Sequence, residues 1–127
     1  MRAVVDPCDA RAMSNLALGL VLFVTVAHLW FMVLEALLWT TPFGRRTFGQ
    51  SREDAEKTKV LAMNQGLYNG GVAALLAWAA LTHHGATVDA LLVFIIAMGL
   101  VGGVTAKPII IAFQAVPAAL ALIARHL

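Results

Sequence analysis

Four long, mostly apolar stretches separated by short polar segments dominate the chain. We predict helices over residues 15–39, 52–81, 88–106 and 108–124. Several of the apolar runs approach the ~20 residues with which an α-helix crosses a bilayer. Short connections make successive helices antiparallel neighbours. The pattern therefore predicts an all-α integral membrane protein: one up-down bundle of four transmembrane helices over residues 15–127, preceded by a flexible leader over residues 1–14.

Local signals mark the helix ends. Thr41-Pro42 is expected to end the first helix, because the residue before a proline avoids helical geometry, and residues 43–50 are predicted to form a loop. Ser51 is expected to cap the second helix, with acidic residues in its first turn. Lys107-Pro108 is expected to start the fourth helix, and Pro117 predicts a kink within it.

Composition supports the membrane class. Hydrophobic residues make up 61% of the chain and charged residues 13%, against roughly 45–50% and 25% in soluble domains. The mean hydropathy is +0.83. A net charge of +2 is too small to indicate nucleic-acid binding. Cys8 is the sole cysteine, which excludes an intramolecular disulfide. The predicted partner is thus the lipid bilayer, and no nucleic acid.

The distribution of Lys and Arg predicts the orientation in the cell inner membrane. The three on one side are Arg2, Arg11 and Arg125. The six on the other side are Arg45, Arg46, Arg52, Lys57, Lys59 and Lys107. Because the side richer in positive charge faces the cytoplasm, both termini are predicted to be non-cytoplasmic.

The second apolar stretch contains a polar face. With about 100° of rotation per residue, four of its side chains fall within an arc of about 140°: Asn64, Gln65, Tyr68 and Asn69. Because hydrocarbon cannot hydrogen-bond these groups, we expect them to face a polar interior. Gly66 and Gly70 lie on the opposite side, and their spacing predicts a close contact with another helix of the same chain.

Two other helices place polar groups at matching depths. His28 and Glu35 are seven residues apart on the first helix, and Lys107 and Gln114 repeat that spacing on the fourth. We expect Glu35 either to pair with Lys107 or to be protonated, since an isolated carboxylate is costly inside a bilayer. The sequence therefore predicts an intramembrane pocket with these ligand-binding candidates: His28, Glu35, Asn64, Gln65, Tyr68, Asn69, Lys107 and Gln114.

Two interpretations of this cluster remain open. In the first, Glu35 and Lys107 form a structural ion pair and the amides join helices by hydrogen bonds. In the second, the cluster is a functional pocket, with Glu35 and His28 as the proton-active and candidate catalytic groups. No cofactor is predicted, because His28 has no second histidine at its depth to share a haem. No metal site is predicted either, since His83-His84 with Asp89 lies on an interfacial turn, where histidines are usually solvated.

Several ordered motifs carry a resemblance to a known family. They include the run from His28 to Glu35, Trp39-Thr40-Thr41-Pro42, the run from Asn64 to Gly70, Lys107, and the run from Gln114 to Ala118. With Phe48-Gly49 and the run from Thr58 to Leu61, they extend from about Ala17 to Leu122. In these motifs the chain resembles the small bacterial membrane proteins known as domain of unknown function 1304. The resemblance implies a membrane protein of uncharacterised biochemistry.

Three functions are compatible with these features. In the leading one, the bundle encloses a polar pocket, open toward the cytoplasmic leaflet, for a small or lipid-soluble molecule. In the second, Glu35 and His28 form the relay of a proton-coupled transporter, which acts as a homodimer joined through Gly99 and Gly103. In the third, the protein is a structural or accessory membrane subunit. The sequence leaves open whether the protein is an enzyme.

Overall fold

A computed structural model describes residues 12–127, and all of its regular secondary structure is helical. The predicted all-α class is confirmed for this part of the chain. Residues 1–11, including Cys8, lie outside the described residues, so their predicted role as a leader stays a prediction. The elements in chain order are α1 (Asn15–Met32), the π turn π1 (Val33–Leu37), α2 (Pro42–Phe48), α3 (Arg52–Leu81), α4 (Gly85–Thr105), the π turn π2 (Ile111–Ala115) and α5 (Val116–Arg125).

The segment predicted as a loop over residues 43–50 is largely helical, so that prediction was wrong. Thr41 caps α2 by accepting a hydrogen bond from the Gly44 amide at 3.2 Å, and Pro42 occupies the first turn, where its missing N–H costs nothing. Gly49 ends the helix in the left-handed conformation, with φ 65°. The Thr-Pro pair thus ends one helix and begins the next.

The other boundaries lie close to the predictions. Helix α3 covers the predicted 52–81, and Ser51 caps it through the Asp54 amide at 3.0 Å. Helix α4 begins at Gly85, earlier than the predicted residue 88. The kink expected at Pro117 takes the form of π2 just before it, where the Val116 N–H bonds the Ile111 carbonyl. Pro117 explains this local widening, because it lacks an N–H and its ring would clash with the carbonyl four residues earlier.

The chain divides into two compact units. We call residues 26–73 the Glu35 unit, and residues up to Thr25 together with 74–127 the Gln114 unit. The largest fully buried side chains of the Gln114 unit are Val21, Val24, Leu76, Val88, Leu92 and Ile95. The Glu35 unit buries smaller groups, among them Ala55, Ala62 and Ala73, together with Leu34 and His28.

Among the described residues, two of the four predicted spans are helices long and apolar enough to cross a membrane. They are Asn15–Leu37, with a mean hydropathy of 2.3, and Gly85–Thr105, with 2.2; 28% of each span's most apolar part is buried. In α3 the polar residues between Asn64 and Asn69 lower the hydropathy. The apolar helix Ile111–Arg125 is shorter than a full span.

Candidate functional site

Glu35 lies within π1, the widened turn that ends the first long helix. The Leu38 N–H bonds the Val33 carbonyl at 3.0 Å, five residues back instead of the usual four. Such π turns are rare in helices overall, but those that occur are often found at functional sites. The extra residue in this turn changes the direction in which the following side chains point, so it helps to set the position of the Glu35 carboxylate.

Asn69 of α3 holds this carboxylate. Its Nδ2 donates a hydrogen bond to Glu35 Oε2 at 2.6 Å, and the contact is partly buried. A rise of about 1.5 Å per residue predicts Glu35 at the depth of Asn64 and Gln65, with Asn69 one turn deeper. The structure instead brings Asn69 to Glu35, because Asn69 lies on the edge of α3 that packs against the first helix.

That edge is formed by Gly66 and Gly70, and the predicted close contact is confirmed. A Cβ atom on Gly66 would lie 2.8 Å from the Ala36 backbone nitrogen, and one on Gly70 would overlap the Met32 sulfur. The absence of side chains therefore allows the two helices to approach closely. Asn69 lies between the glycines in sequence, so the same approach delivers its amide to Glu35.

The other three polar residues of α3 are exposed. Asn64 and Gln65 lie on the protein surface, and Tyr68 is 75% exposed. The expectation that they face an interior of the chain is therefore wrong. The physical reason is that the glycine edge, rather than the polar arc, turns toward the partner helix. Their part in ligand binding stays a prediction.

A cleft of about 210 Å³ lies beside Glu35. Its lining residues are Glu35, Ala36, Leu37, Trp39, Thr40, Lys59, Val60 and Met63. Apolar side chains make most of the wall, and the polar groups are one carboxylate, one hydroxyl and one ammonium. This cleft was not predicted from the sequence. The available signal is that Glu35 and Trp39 are four residues apart and so lie on one side of a helix.

Two contacts fix the walls of the cleft. The Trp39 indole N–H donates to Thr58 Oγ1 at 3.0 Å, and the Trp39 ring packs against Phe48 with centroids 4.7 Å apart. Lys59 bonds Glu56 at 2.8 Å on the exposed side of α3. The hydrogen bond and charge of Lys59 lower the pKa of Glu56. Lys59 is thus a solvent-exposed cation at the rim of the cleft.

His28 is buried in the same unit, at 2% exposure. Its ring meets Phe31 edge-on with centroids 5.4 Å apart. Within residues 12–127, no group of three or more His, Cys, Asp or Glu side chains could hold a metal ion. His28 is therefore a buried side chain packed against an aromatic ring, and the relay between His28 and Glu35 stays a prediction.

The two candidates from the fourth predicted helix belong to the Gln114 unit. Gln114 is half-buried within π2, and Lys107 is exposed in the turn after α4. The ion pair of Glu35 with Lys107 stays a prediction. A Cβ atom on Gly99 would lie 2.8 Å from the Ala115 nitrogen, and one on Gly103 would overlap Ile111. Because both glycines pack within the chain, the expectation that they form a homodimer interface is wrong.

A polar cluster that was not predicted from the sequence lies at one end of the Gln114 unit. Arg125 Nε bonds Asp89 Oδ1 at 2.5 Å, and Arg125 Nη2 donates to the Gly85 carbonyl at 3.0 Å. His126 Nε2 lies 3.1 Å from Asp89 Oδ2. Asp89 on α4 thus binds both Arg125 and His126 at the end of the chain. Nearby in sequence, His84 stacks on Trp78 with centroids 4.8 Å apart. The available signal was that Asp89 begins one helix and Arg125 ends its antiparallel neighbour.

Comparison with known proteins identifies a family. A family model described as "Protein of unknown function (DUF1304)" matches residues 15–126. Neither the curated proteins nor the solved structures contain a significant match.

Proposed function

The chain belongs to the DUF1304 family, and on that premise we propose that it is a multi-pass inner-membrane protein that binds a small, partly apolar molecule at Glu35. The four predicted spans are α1 with π1, the apolar part of α3, α4, and π2 with α5. Both termini are then non-cytoplasmic, as the distribution of Lys and Arg indicates.

The apolar surface supports the membrane placement. Large hydrophobic side chains are exposed along every long helix, for example Phe23, Leu67, Val104 and Phe113, each more than half exposed. Soluble monomers rarely expose so much contiguous apolar surface, because water disfavours it. In a bilayer the same side chains meet lipid tails, so the exposed surface becomes favourable.

The Glu35 carboxylate in its apolar cleft is the observation that carries the binding proposal. An ionisable residue within a membrane span is a candidate functional group, since placing it there is costly. Asn69 fixes one carboxylate oxygen at 2.6 Å, which orients the group without neutralising it by a cation. A carboxylate accepts hydrogen bonds and attracts cations. The expected ligand therefore carries a donor or positive group.

The walls and the size of the cleft limit the rest of the ligand. Leu37, Val60 and Met63 offer apolar contacts. The volume of about 210 Å³ is below the roughly 300–1,000 Å³ of sites for drug-sized ligands. A molecule of a few atoms fits completely, and a lipid-like molecule fits by its polar end. We therefore expect a compact donor-bearing head group, with or without an apolar tail.

The test compares two charge-neutral variants. Glu35→Gln retains an oxygen that accepts from Asn69, and it removes the negative charge from the cleft. Glu53→Gln is the matched control, because Glu53 is exposed and pairs with Lys57 outside the cleft. Native mass spectrometry of the purified protein should detect a bound small molecule in the wild type and in Glu53→Gln. That molecule should be lost in Glu35→Gln, and equal retention in all three proteins contradicts the proposal.

The structural role is the second candidate, because the Glu35–Asn69 hydrogen bond joins two closely packed helices. Ligand content and stability together separate the two roles. If Glu35 serves binding, Glu35→Gln keeps its free energy of unfolding in detergent and loses the ligand. If Glu35 is only a structural group, no ligand differs between the proteins, and stability is lost in Glu35→Leu, which removes the acceptor for Asn69, but not in Glu35→Gln.

A further inference from the structure

The exposed side of α3 carries a regular repeat that the proposed site does not use. Alternating steps of three and four residues connect Leu61, Asn64, Tyr68, Gly71, Leu75 and Trp78. All six positions are exposed, and the four large apolar or aromatic residues are each at least 50% exposed. This spacing is that of the a and d positions of a coiled coil, which bury against a partner helix. We call these six residues the α3 seam.

The α3 seam is separate from the edge of α3 that packs within the chain. The buried positions of α3 include Ala62, Gly66, Ala73, Leu76 and Ala80, and they lie on the opposite side of the helix. A helix with one buried stripe and a second, exposed stripe at coiled-coil spacing can pack against two helices, one on each side. The first neighbour is intramolecular. On the α3 seam, Trp78 at one end stacks on His84, and the other five residues stay exposed.

Lipid is a poor neighbour for this surface. If α3 spans the membrane, as the proposed function holds, the carboxamides of Asn64 and the adjacent Gln65 lie within the hydrocarbon region. Amides that lack a hydrogen-bond partner are strongly disfavoured there. The Tyr68 hydroxyl adds a third exposed polar group. The α3 seam therefore needs a partner that offers hydrogen bonds as well as apolar contacts.

We propose that the partner is the α3 seam of a second copy of this chain, so that the protein forms a symmetric dimer with two parallel α3 helices. Two copies inserted in the same orientation are related by a two-fold axis along the membrane normal. Each residue of the seam then lies near its own counterpart. This arrangement suits Asn64, because a carboxamide both donates and accepts and so pairs with another carboxamide.

Asn64 also sets the register of the pair. A single polar residue at an a or d position of a coiled coil fixes the alignment and the number of helices, since any shift leaves it unpaired. Charges at the start of α3 do not oppose the pairing, because they are neutralised within the helix. Lys57 bonds Glu53 at 2.6 Å, and Lys59 bonds Glu56 at 2.8 Å.

Gly71 supplies the close approach at the middle of the α3 seam. No atom lies within 4 Å of a Cβ built on Gly71, whereas Gly66, Gly70, Gly99 and Gly103 all face atoms of their own chain. Small residues at membrane helix interfaces let backbones come together. Gly71 is therefore the position at which a side chain would disturb the dimer and leave the monomer unchanged.

Disulfide cross-linking in native membranes tests the proposal, in a chain carrying Cys8→Ser to remove the natural thiol. Gly71→Cys should form a species at twice the 13.5 kDa chain mass under mild oxidation. Val101→Cys on α4, which is 54% exposed, is the control and should stay monomeric. Dimers through Val101→Cys but not through Gly71→Cys, a monomer in both, or an adduct of Gly71→Cys with a different protein would each overturn the proposal.

A second variant measures the interface without a thiol. Gly71→Leu should lower the dimer fraction in lipid vesicles roughly tenfold, by separating the helices, and its melting temperature in detergent should equal that of the wild type. Val101→Leu is the matched control and should dimerise normally. An unchanged dimer fraction in Gly71→Leu would refute the α3 seam as the interface.

The failure of this inference is distinguishable from failure of the proposed function, on whose membrane placement it rests. Release of the wild-type protein from membranes by alkaline carbonate would contradict the membrane placement. Retention in the membrane together with monomeric Gly71→Cys contradicts the dimer alone. Ligand binding at Glu35 is tested separately, by comparing the bound molecule in the wild type and in Glu35→Gln, and that result depends on neither the carbonate extraction nor the cross-linking.

Discussion

The Glu35 unit and the Gln114 unit close their helix pairs by the same backbone arrangement. In each, a glycine of one helix packs on an alanine in or beside a π turn of its antiparallel partner. A Cβ on Gly66 would lie 2.8 Å from the Ala36 nitrogen, and a Cβ on Gly99 would lie 2.8 Å from the Ala115 nitrogen. One turn away, Gly70 faces Met32 and Gly103 faces Ile111. Close helix packing is thus a shared solution of both units.

The two contacts differ in the polar groups added to this arrangement. Glu35 precedes Ala36, and Gln114 precedes Ala115, so an acid in one unit corresponds to an amide in the other. The residue before Gly70 is Asn69, which binds Glu35, whereas the residue before Gly103 is Gly102, which has no side chain to donate. The comparison teaches that packing does not require the charge. The carboxylate of the Glu35 unit is an addition, which is what a functional site is expected to be.

The largest expected effect comes from filling the two glycine contacts. Gly66→Leu and Gly99→Leu should each lower the free energy of unfolding toward the upper end of about 1–3 kcal/mol, since the new side chain meets a backbone that cannot move aside. Denaturation with dodecyl sulfate in mixed micelles measures this. Gly19→Leu is the control, because no atom lies within 4 Å of its Cβ. A large loss for one glycine and none for the other would break the equivalence of the units.

The next largest effect is expected from the contacts of Arg125 with Asp89 and the Gly85 carbonyl, at the end of the Gln114 unit. Arg125→Gln removes a charged hydrogen bond to Asp89 and a second bond to the Gly85 carbonyl, so we expect a loss of about 1.5–3 kcal/mol. His126→Gln should have a smaller effect, since the His126 side chain is 63% exposed. The same denaturation assay applies. Equal effects of both variants would show that Arg125 does not close the unit.

A double-mutant cycle should quantify the polar addition in the Glu35 unit. Glu35→Leu and Asn69→Leu each leave the other group without its described partner, so the cycle should give a coupling of about 1–3 kcal/mol. Glu53→Gln paired with Asn69→Leu is the control and should be additive, because Glu53 bonds Lys57 rather than Asn69. Additivity of Glu35→Leu with Asn69→Leu would contradict the hydrogen bond as a stabilising contact.

The smallest effect is expected at the wall of the cleft. Trp39→Phe keeps an aromatic ring against Phe48 and removes the indole N–H that donates to Thr58. We expect a stability loss of about 0.5–1.5 kcal/mol, the value of one ordinary hydrogen bond. Thr58→Val should give a similar loss, and the double variant should add little to either. Independent losses in the double variant would mean that the two side chains do not act together.

The sequence itself determined the helical class, the range of α3, its cap at Ser51, and the close contact through Gly66 and Gly70. These features depend on local signals: apolar runs, cap residues and residue spacing along one helix. The sequence also singled out Glu35, because a carboxylate within an apolar run is conspicuous wherever the helix lies. Local signals were insufficient for α2, since Thr41-Pro42 equally well ends a helix and begins one.

Tertiary structure decided which side of each helix faces a neighbour. On α3 the glycine edge and the polar arc both had reason to face inward, and periodicity alone could not choose between an amide seeking a hydrogen bond and a backbone seeking close approach. The packing of Gly66 on Ala36 resolved this choice, brought Asn69 to Glu35, and left Asn64 and Tyr68 exposed. The rotation of a helix about its axis depends on residues distant in sequence, and so the cleft beside Glu35 and the exposed α3 seam became apparent only in the folded chain.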